Sequence, residues 1–78
     1  MKKVIVYSKT HCPWCVKVKD FLKQNSVPFE ERNAEGNMQY ALEVQQKSGG
    51  VAIPVTDVEG MIIIGFNPVK LKAALGLQ

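Results

Sequence analysis

Two cysteines three positions apart stand between a short β-branched run and an amphipathic helical stripe, and this placement constrains the chain more than any other feature. Lys3 to Tyr7 is apolar and rich in β-branched residues, which suits a buried strand. Thr10 to Pro13 is a turn-like break, and Pro13 fits the first helical position, where its missing N–H costs nothing. Cys15, Val18, Phe21 and Leu22 then recur at helical spacing on one face, with Lys17, Lys19 and Lys23 largely off it. A strand that feeds a helix through Cys12-Pro13-Trp14-Cys15 puts the first cysteine at the helix N-terminus and the second one turn further in.

The remaining segments complete an alternating pattern. Asn25-Ser26 ends the first helix, and Val27 to Arg32 reads as a second strand. Asn33 to Asn37 is a loop, and Met38, Ala41, Leu42 and Gln45 mark a second helix stopped by Ser48-Gly49-Gly50. Val51 to Val58 reads as a third strand interrupted at Pro54; Glu59-Gly60 is a two-residue hairpin turn, and Met61 to Ile64 is its partner strand. Asn67-Pro68 signals a third helix start, with Val69, Leu71, Ala74 and Leu75 facing the core and Gly76 ending it. The order β-α-β-α-β-β-α implies a right-handed βαβ unit with a parallel pair, an added antiparallel hairpin, and one mixed four-stranded sheet with helices on both faces.

Seventy-eight residues are enough for one domain, expected to span 1–78. Ten Lys+Arg against seven Asp+Glu give a net charge of +3, spread over Lys2, Lys3, Lys9, Lys17, Lys19 and Lys23 without a run of five, so no nucleic-acid partner is expected. Met1-Lys2-Lys3 followed by four apolar residues starts like an export signal, but the run stops at Ser8, well short of the ~7–15 residues such a signal needs. No apolar stretch approaches the ~20 residues of a membrane span. The expectation is a soluble cytoplasmic protein with no membrane partner, monomeric by default.

A CxxC pair admits two main readings, a redox dithiol or half of a zinc site. A structural zinc site wants four protein ligands, and this chain has two cysteines and one histidine, His11, adjacent to Cys12. As a disulfide staple the pair closes too small a loop to stabilise much. The redox reading explains the position too. At a helix N-terminus, unpaired N–H groups and the macrodipole favour an anion, so the Cys12 thiolate is expected to be stabilised and to attack. Lys9 adds positive potential nearby. Cys15, on the apolar stripe, is expected to be less exposed and to resolve the mixed disulfide. Pro13 fixes the turn and removes one N–H near the sulfurs. No metal site is expected.

Lys9-Thr10-His11-Cys12-Pro13-Trp14-Cys15 resembles the active-site stretch of the glutaredoxins, commonly K-x-x-C-P-Y-C, and Ile53-Pro54 matches as well; the resemblance covers essentially the whole chain. It implies an α/β, thioredoxin-like fold and a dithiol oxidoreductase that reduces protein or glutathione-mixed disulfides, with no tightly bound cofactor and with glutathione as one candidate reductant. It also implies that Pro54 is cis and that the Ile53 backbone pairs with the bound partner like an added strand.

The chain departs from the glutathione-binding pattern further on. Glutaredoxins usually continue with Gly-Gly and an acidic residue at the last helix; here the segment is Gly65-Phe66-Asn67-Pro68-Val69. Pro68 lacks an amide donor, and Ala52 stands where the family has threonine. Gly-Phe-x-Pro looks more like the NrdH-redoxins, which donate to ribonucleotide reductase and are fed by thioredoxin reductase. Cluster-carrying relatives usually have a single active-site cysteine followed by small residues, and Pro13, Trp14 and Cys15 argue against that use. Trp14 is expected on the rim of the site as an apolar contact, and Phe66 either in the partner groove or against the second helix. Gly65 and Asn67 complete the candidate binding segment. His11 reads as an exposed loop residue, Tyr7 as core, and Lys17 and Lys19 as solvated.

Overall fold

A computed structural model describes residues 3–77. Met1, Lys2 and Gln78 lie outside the described residues, and with them the start of the export-like segment. The elements are β1 (Val4–Ser8), α1 (Pro13–Gln24), β2 (Glu30–Asn33), α2 (Met38–Ser48), β3 (Val55–Val58), β4 (Met61–Ile64) and α3 (Pro68–Leu75), in the expected order. They form one four-stranded sheet ordered β2-β1-β3-β4. β1 runs parallel to β2, with Ile5 opposite Glu30 and Ser8 opposite Asn33. β1 is antiparallel to β3, with Val4 opposite Val58, and β3 is antiparallel to β4.

Every residue of β1 is buried, because helices cover both faces of the sheet at its centre. Val4 and Val6 join Val58 and Ile63 against Val18 and Leu22 of α1 and Leu71 and Ala74 of α3. On the opposite face Ile5, Tyr7 and Val55 pack with Ala34 and with Val44 of α2. This packing buries β1 from both sides, and its C-terminal end leads into the cysteine loop.

Three expectations need correction. The second strand starts at Glu30 rather than Val27. Val27 instead closes α1: its N–H donates to Leu22 O at 2.9 Å and that of Ser26 to Lys23 O at 3.1 Å, with Ser26 left-handed at φ 57°. This Schellman closure uses the chain that strand pairing would need. The third strand starts at Val55, because a bend and the Ile53–Pro54 peptide, which is cis, take residues 51–54 out of the ladder.

The stripe that marks α2 is not its buried face. Val44 is its buried residue and Tyr40 packs half-buried beside it, while Met38, Ala41, Leu42 and Gln45 are exposed. The helix is turned to set Tyr40 and Val44, one turn apart, against Tyr7. In α3, Val69 is 78% exposed, whereas Leu71 and Ala74 are buried. At about 100° per residue, Val69 lies roughly 200° around the helix from Leu71.

The Glu59-Gly60 turn has φ 49° and 95° at its two residues, the doubly positive geometry of a tight hairpin. Asp57 Oδ1 accepts from the Gly60 N–H at 2.7 Å and fixes it.

Candidate active site

Cys12 is the N-cap of α1, with φ −112° and ψ 104°, and Pro13 occupies the first turn. The Cys15 N–H donates to Cys12 Sγ at 3.2 Å, so the sulfur does what a serine or aspartate oxygen does at an ordinary cap. The Val16 N–H donates to Cys12 O at 3.2 Å. No acidic residue lies in the first turn of α1 to compete for the amide dipoles. His11 reaches the cap through a left-handed backbone, φ 58°, and its side chain is exposed.

Both cysteines are free thiols, 7% exposed at Cys12 and 1% at Cys15. Burial pushes the Cys15 thiol up to about 11; its hydrogen bond to Cys12 adds to this, and the Lys9 backbone and the Lys19 ammonium work against it. Cys15 is therefore a protonated thiol at neutral pH, as expected of the inner cysteine.

Beside the pair lies a shallow groove of about 290 Å³ lined by Trp14, Ile53, Pro54, Gly65 and Phe66. The Gly65 N–H donates to Pro54 O at 2.8 Å and ties the two walls together. Gly65 holds φ 76°, a left-handed turn that suits glycine. Trp14 is 56% exposed, with Lys17 Nζ 5.2 Å from its ring centroid. Phe66 packs on the ring of Phe21 edge to face, centroids 6.2 Å apart, so its helical neighbour is α1 rather than the second helix.

The remaining candidates sit apart from this groove. Lys9 lines a separate cavity of about 200 Å³ with Glu35, Val51, Ala41 and Val44, and only Ile53 borders both spaces. Asn67 is the N-cap of α3, its Oδ1 accepting from the Lys70 N–H at 3.1 Å. Pro13 is exposed at the first turn of α1.

Two polar clusters were not anticipated. Lys19 is only partly solvated: its Nζ lies 2.9 Å from Glu31 Oε2, and that oxygen also accepts from Ser8 Oγ at 2.7 Å. On the opposite face the wholly buried Tyr7 donates its hydroxyl to Glu43 Oε1 at 2.6 Å and accepts from Lys47 Nζ at 2.8 Å. Arg32 and Asp57 complete that cluster, through Glu43 at 2.6 Å and Lys47 at 2.6 Å.

A helix-capping cysteine with a buried second cysteine one turn on, beside a cis-proline groove on this sheet, defines a thiol–disulfide oxidoreductase of thioredoxin-like architecture. The chain belongs to the glutaredoxin family: the family model described as Glutaredoxin matches residues 4–63. It is 35% identical over 66 residues to an uncharacterized glutaredoxin-like 8.6 kDa protein of the rubredoxin operon of Clostridium pasteurianum, covering 85% of this chain and 88% of that one. It is 32% identical over 68 residues to the glutaredoxin-like protein NrdH of Lactococcus lactis, covering 87% and 93%. The crystal structure of a glutaredoxin from Archaeoglobus fulgidus superposes with a TM-score of 0.87 at 29% identity, covering 96% of this chain and 87% of that one.

Proposed function

We propose that the protein is a dithiol oxidoreductase that reduces disulfides of other proteins through Cys12 and Cys15, as a single domain working in the cytoplasm. The observation that carries the reading is the asymmetry of the pair. Cys12 Sγ accepts a helix N–H, whereas Cys15 is held protonated by burial. The Cys12 thiolate attacks one sulfur of a partner disulfide; that S–S bond breaks, and the other partner sulfur leaves as a thiolate. Cys15 then attacks Cys12 Sγ, releases the second partner sulfur, and leaves the Cys12–Cys15 disulfide. Two electrons pass to the partner, and both partner sulfurs end protonated. Keeping such a pair reduced between turnovers fits a reducing compartment.

The partner chain lies in the groove, against Trp14 and Phe66, with the Ile53 backbone and Pro54 along one side and Gly65 along the other. Lys9 supplies positive potential from the far side of Ile53, and Pro13 and Asn67 hold the two helix starts. The protein carries no tightly bound cofactor and works as a monomer.

A second observation bears on the electron source. The N-terminus of α3, where the family receives the glutathione γ-glutamyl carboxylate, is occupied: Asn67 Oδ1 caps it and Pro68 offers no amide. This supports thioredoxin reductase as the reductant and a NrdH-like donor role, over glutathione. The test supplies the oxidised protein with either glutathione and its reductase or thioredoxin reductase, both with NADPH and a model disulfide. Turnover with thioredoxin reductase alone is expected; turnover with glutathione makes the protein a glutaredoxin in substrate as well as family.

A further inference from the structure

The resolving step needs a thiolate from a cysteine that the fold has buried. Cys15 is 1% exposed. Cys12 lies at the cap, the Lys9 backbone comes from the loop after β1, and Lys19 follows one turn along the same helix. Positions four apart bring Cβ atoms to about 5–6 Å on one helix face. From the sheet, β3 contributes the uncharged Thr56 to this side, while Asp57 points to the opposite face, where it pairs with Lys47.

Lys19 is the one lysine of α1 tied to the sheet by an ion pair among the described residues; Lys17 leans on Trp14. Glu31 Oε2 holds Lys19 Nζ at 2.9 Å and takes the hydroxyl of Ser8 at 2.7 Å. Ser8 is wholly buried at the end of β1, next in the chain to Lys9, whose backbone faces the Cys15 thiol. Val6, Ser8 and Glu31 share the sheet face that α1 covers, so the Lys19–Glu31 ion pair lies on the same side of the sheet as Cys15, one helical turn along α1 from it. With a side-chain exposure of 24%, Lys19 is less screened than a free surface lysine.

We propose that Lys19, pinned by Glu31 and Ser8, is a positioning residue for the resolving step, its ammonium stabilising the Cys15 thiolate as it attacks the Cys12 mixed disulfide. The inference rests on the dithiol reading above. In that step the Cys15–Cys12 bond forms and the bond from Cys12 to the partner sulfur breaks. The partner sulfur leaves with the electron pair and takes up, through water, the proton that Cys15 gave up.

The test follows the reduced protein with an aromatic disulfide reagent in stopped flow, where attack by Cys12 and resolution by Cys15 release the coloured thiolate in two phases. The rate of each phase is followed across pH in the wild type, Lys19→Gln and Lys19→Arg. Because exchange rates follow the thiolate fraction, Lys19→Gln is expected to slow the second phase about three- to tenfold near neutral pH. Its pH profile moves upward, the first phase is unchanged, and Lys19→Arg restores the wild-type profile. A second phase with an unmoved profile, or both phases slowed alike, overturns the role of Lys19. A wild-type protein that releases only one thiolate overturns the dithiol reading itself.

Discussion

The backbone N–H of Cys15 donates to the sulfur of Cys12 at 3.2 Å, so the reactive pair is also the N-cap of α1. Structure and chemistry share one contact, and this makes one substitution unusually clean. Serine is a good N-cap residue. Cys12→Ser is therefore expected to keep the fold, with stability within about 1 kcal/mol of wild type, while losing all disulfide reduction. Circular dichroism and a coupled NADPH assay on the same sample check both halves.

Burial of Cys15 also predicts an alkaline limit. Its thiol rises from an ordinary 9.0 to about 11 in the native state. Above 9.0 the unfolded chain has given up a proton that the folded chain keeps until about 11. The stabilisation is therefore fully present below the ordinary value and is lost as pH rises through the native one. Urea midpoints of the reduced protein should fall across that window, and those of Cys15→Ser should not fall as steeply.

The acidic side is set by carboxylates. Hydrogen bonds from Lys19 and Ser8 hold Glu31 below the usual range; those from Tyr7 and then Arg32 do the same for Glu43. At Asp57, burial pushes upward, but the hydrogen bonds from Lys47 and the Gly60 N–H outweigh it. These groups stabilise the fold above the ordinary carboxylate value of about 4 and lose that contribution as pH falls through their lower native values. Urea midpoints should drop on moving from neutral pH into acid, and the drop should be shallower in Glu43→Gln.

Thr56 carries a cost that a mutation can remove. It is wholly buried on the α1 side of β3, and its Oγ1 has no hydrogen-bond partner among the described residues. Valine keeps the shape without the desolvated hydroxyl. Thr56→Val is expected to stabilise the protein by about 1 kcal/mol, read as a rise in denaturant midpoint with activity unchanged. A loss of similar size would contradict the assignment.

How far the sequence foretold this arrangement depends on whether local or distant contacts decided each feature. Pro13 and Pro68 after Cys12 and Asn67 located two helix starts, because capping is a local device, and Glu59-Gly60 located the hairpin for the same reason. The inner position of Cys15 followed from the stripe it shares with Val18 and Leu22. Met38, Ala41 and Leu42 located α2 by a local pattern but do not give its docked face, which answers to Tyr7 across the sheet. Val69 was misplaced because Val69, Leu71, Ala73, Ala74 and Leu75 spread apolar surface around most of α3, so the local pattern leaves its rotation open. The tie between Lys19 and Glu31 spans α1 and β2 and depends on the depth of Ser8, which no local pattern reports.

The central claim is that Cys12 attacks and Cys15 resolves. It is tested most directly by mixing reduced Cys15→Ser with a peptide disulfide and measuring the intact mass, followed by digestion. The account predicts one accumulating adduct, joined by a disulfide to Cys12, while the wild type passes to the Cys12–Cys15 disulfide without accumulating it. The absence of any Cys12 adduct in Cys15→Ser, or an adduct that accumulates equally in the wild type, would contradict it.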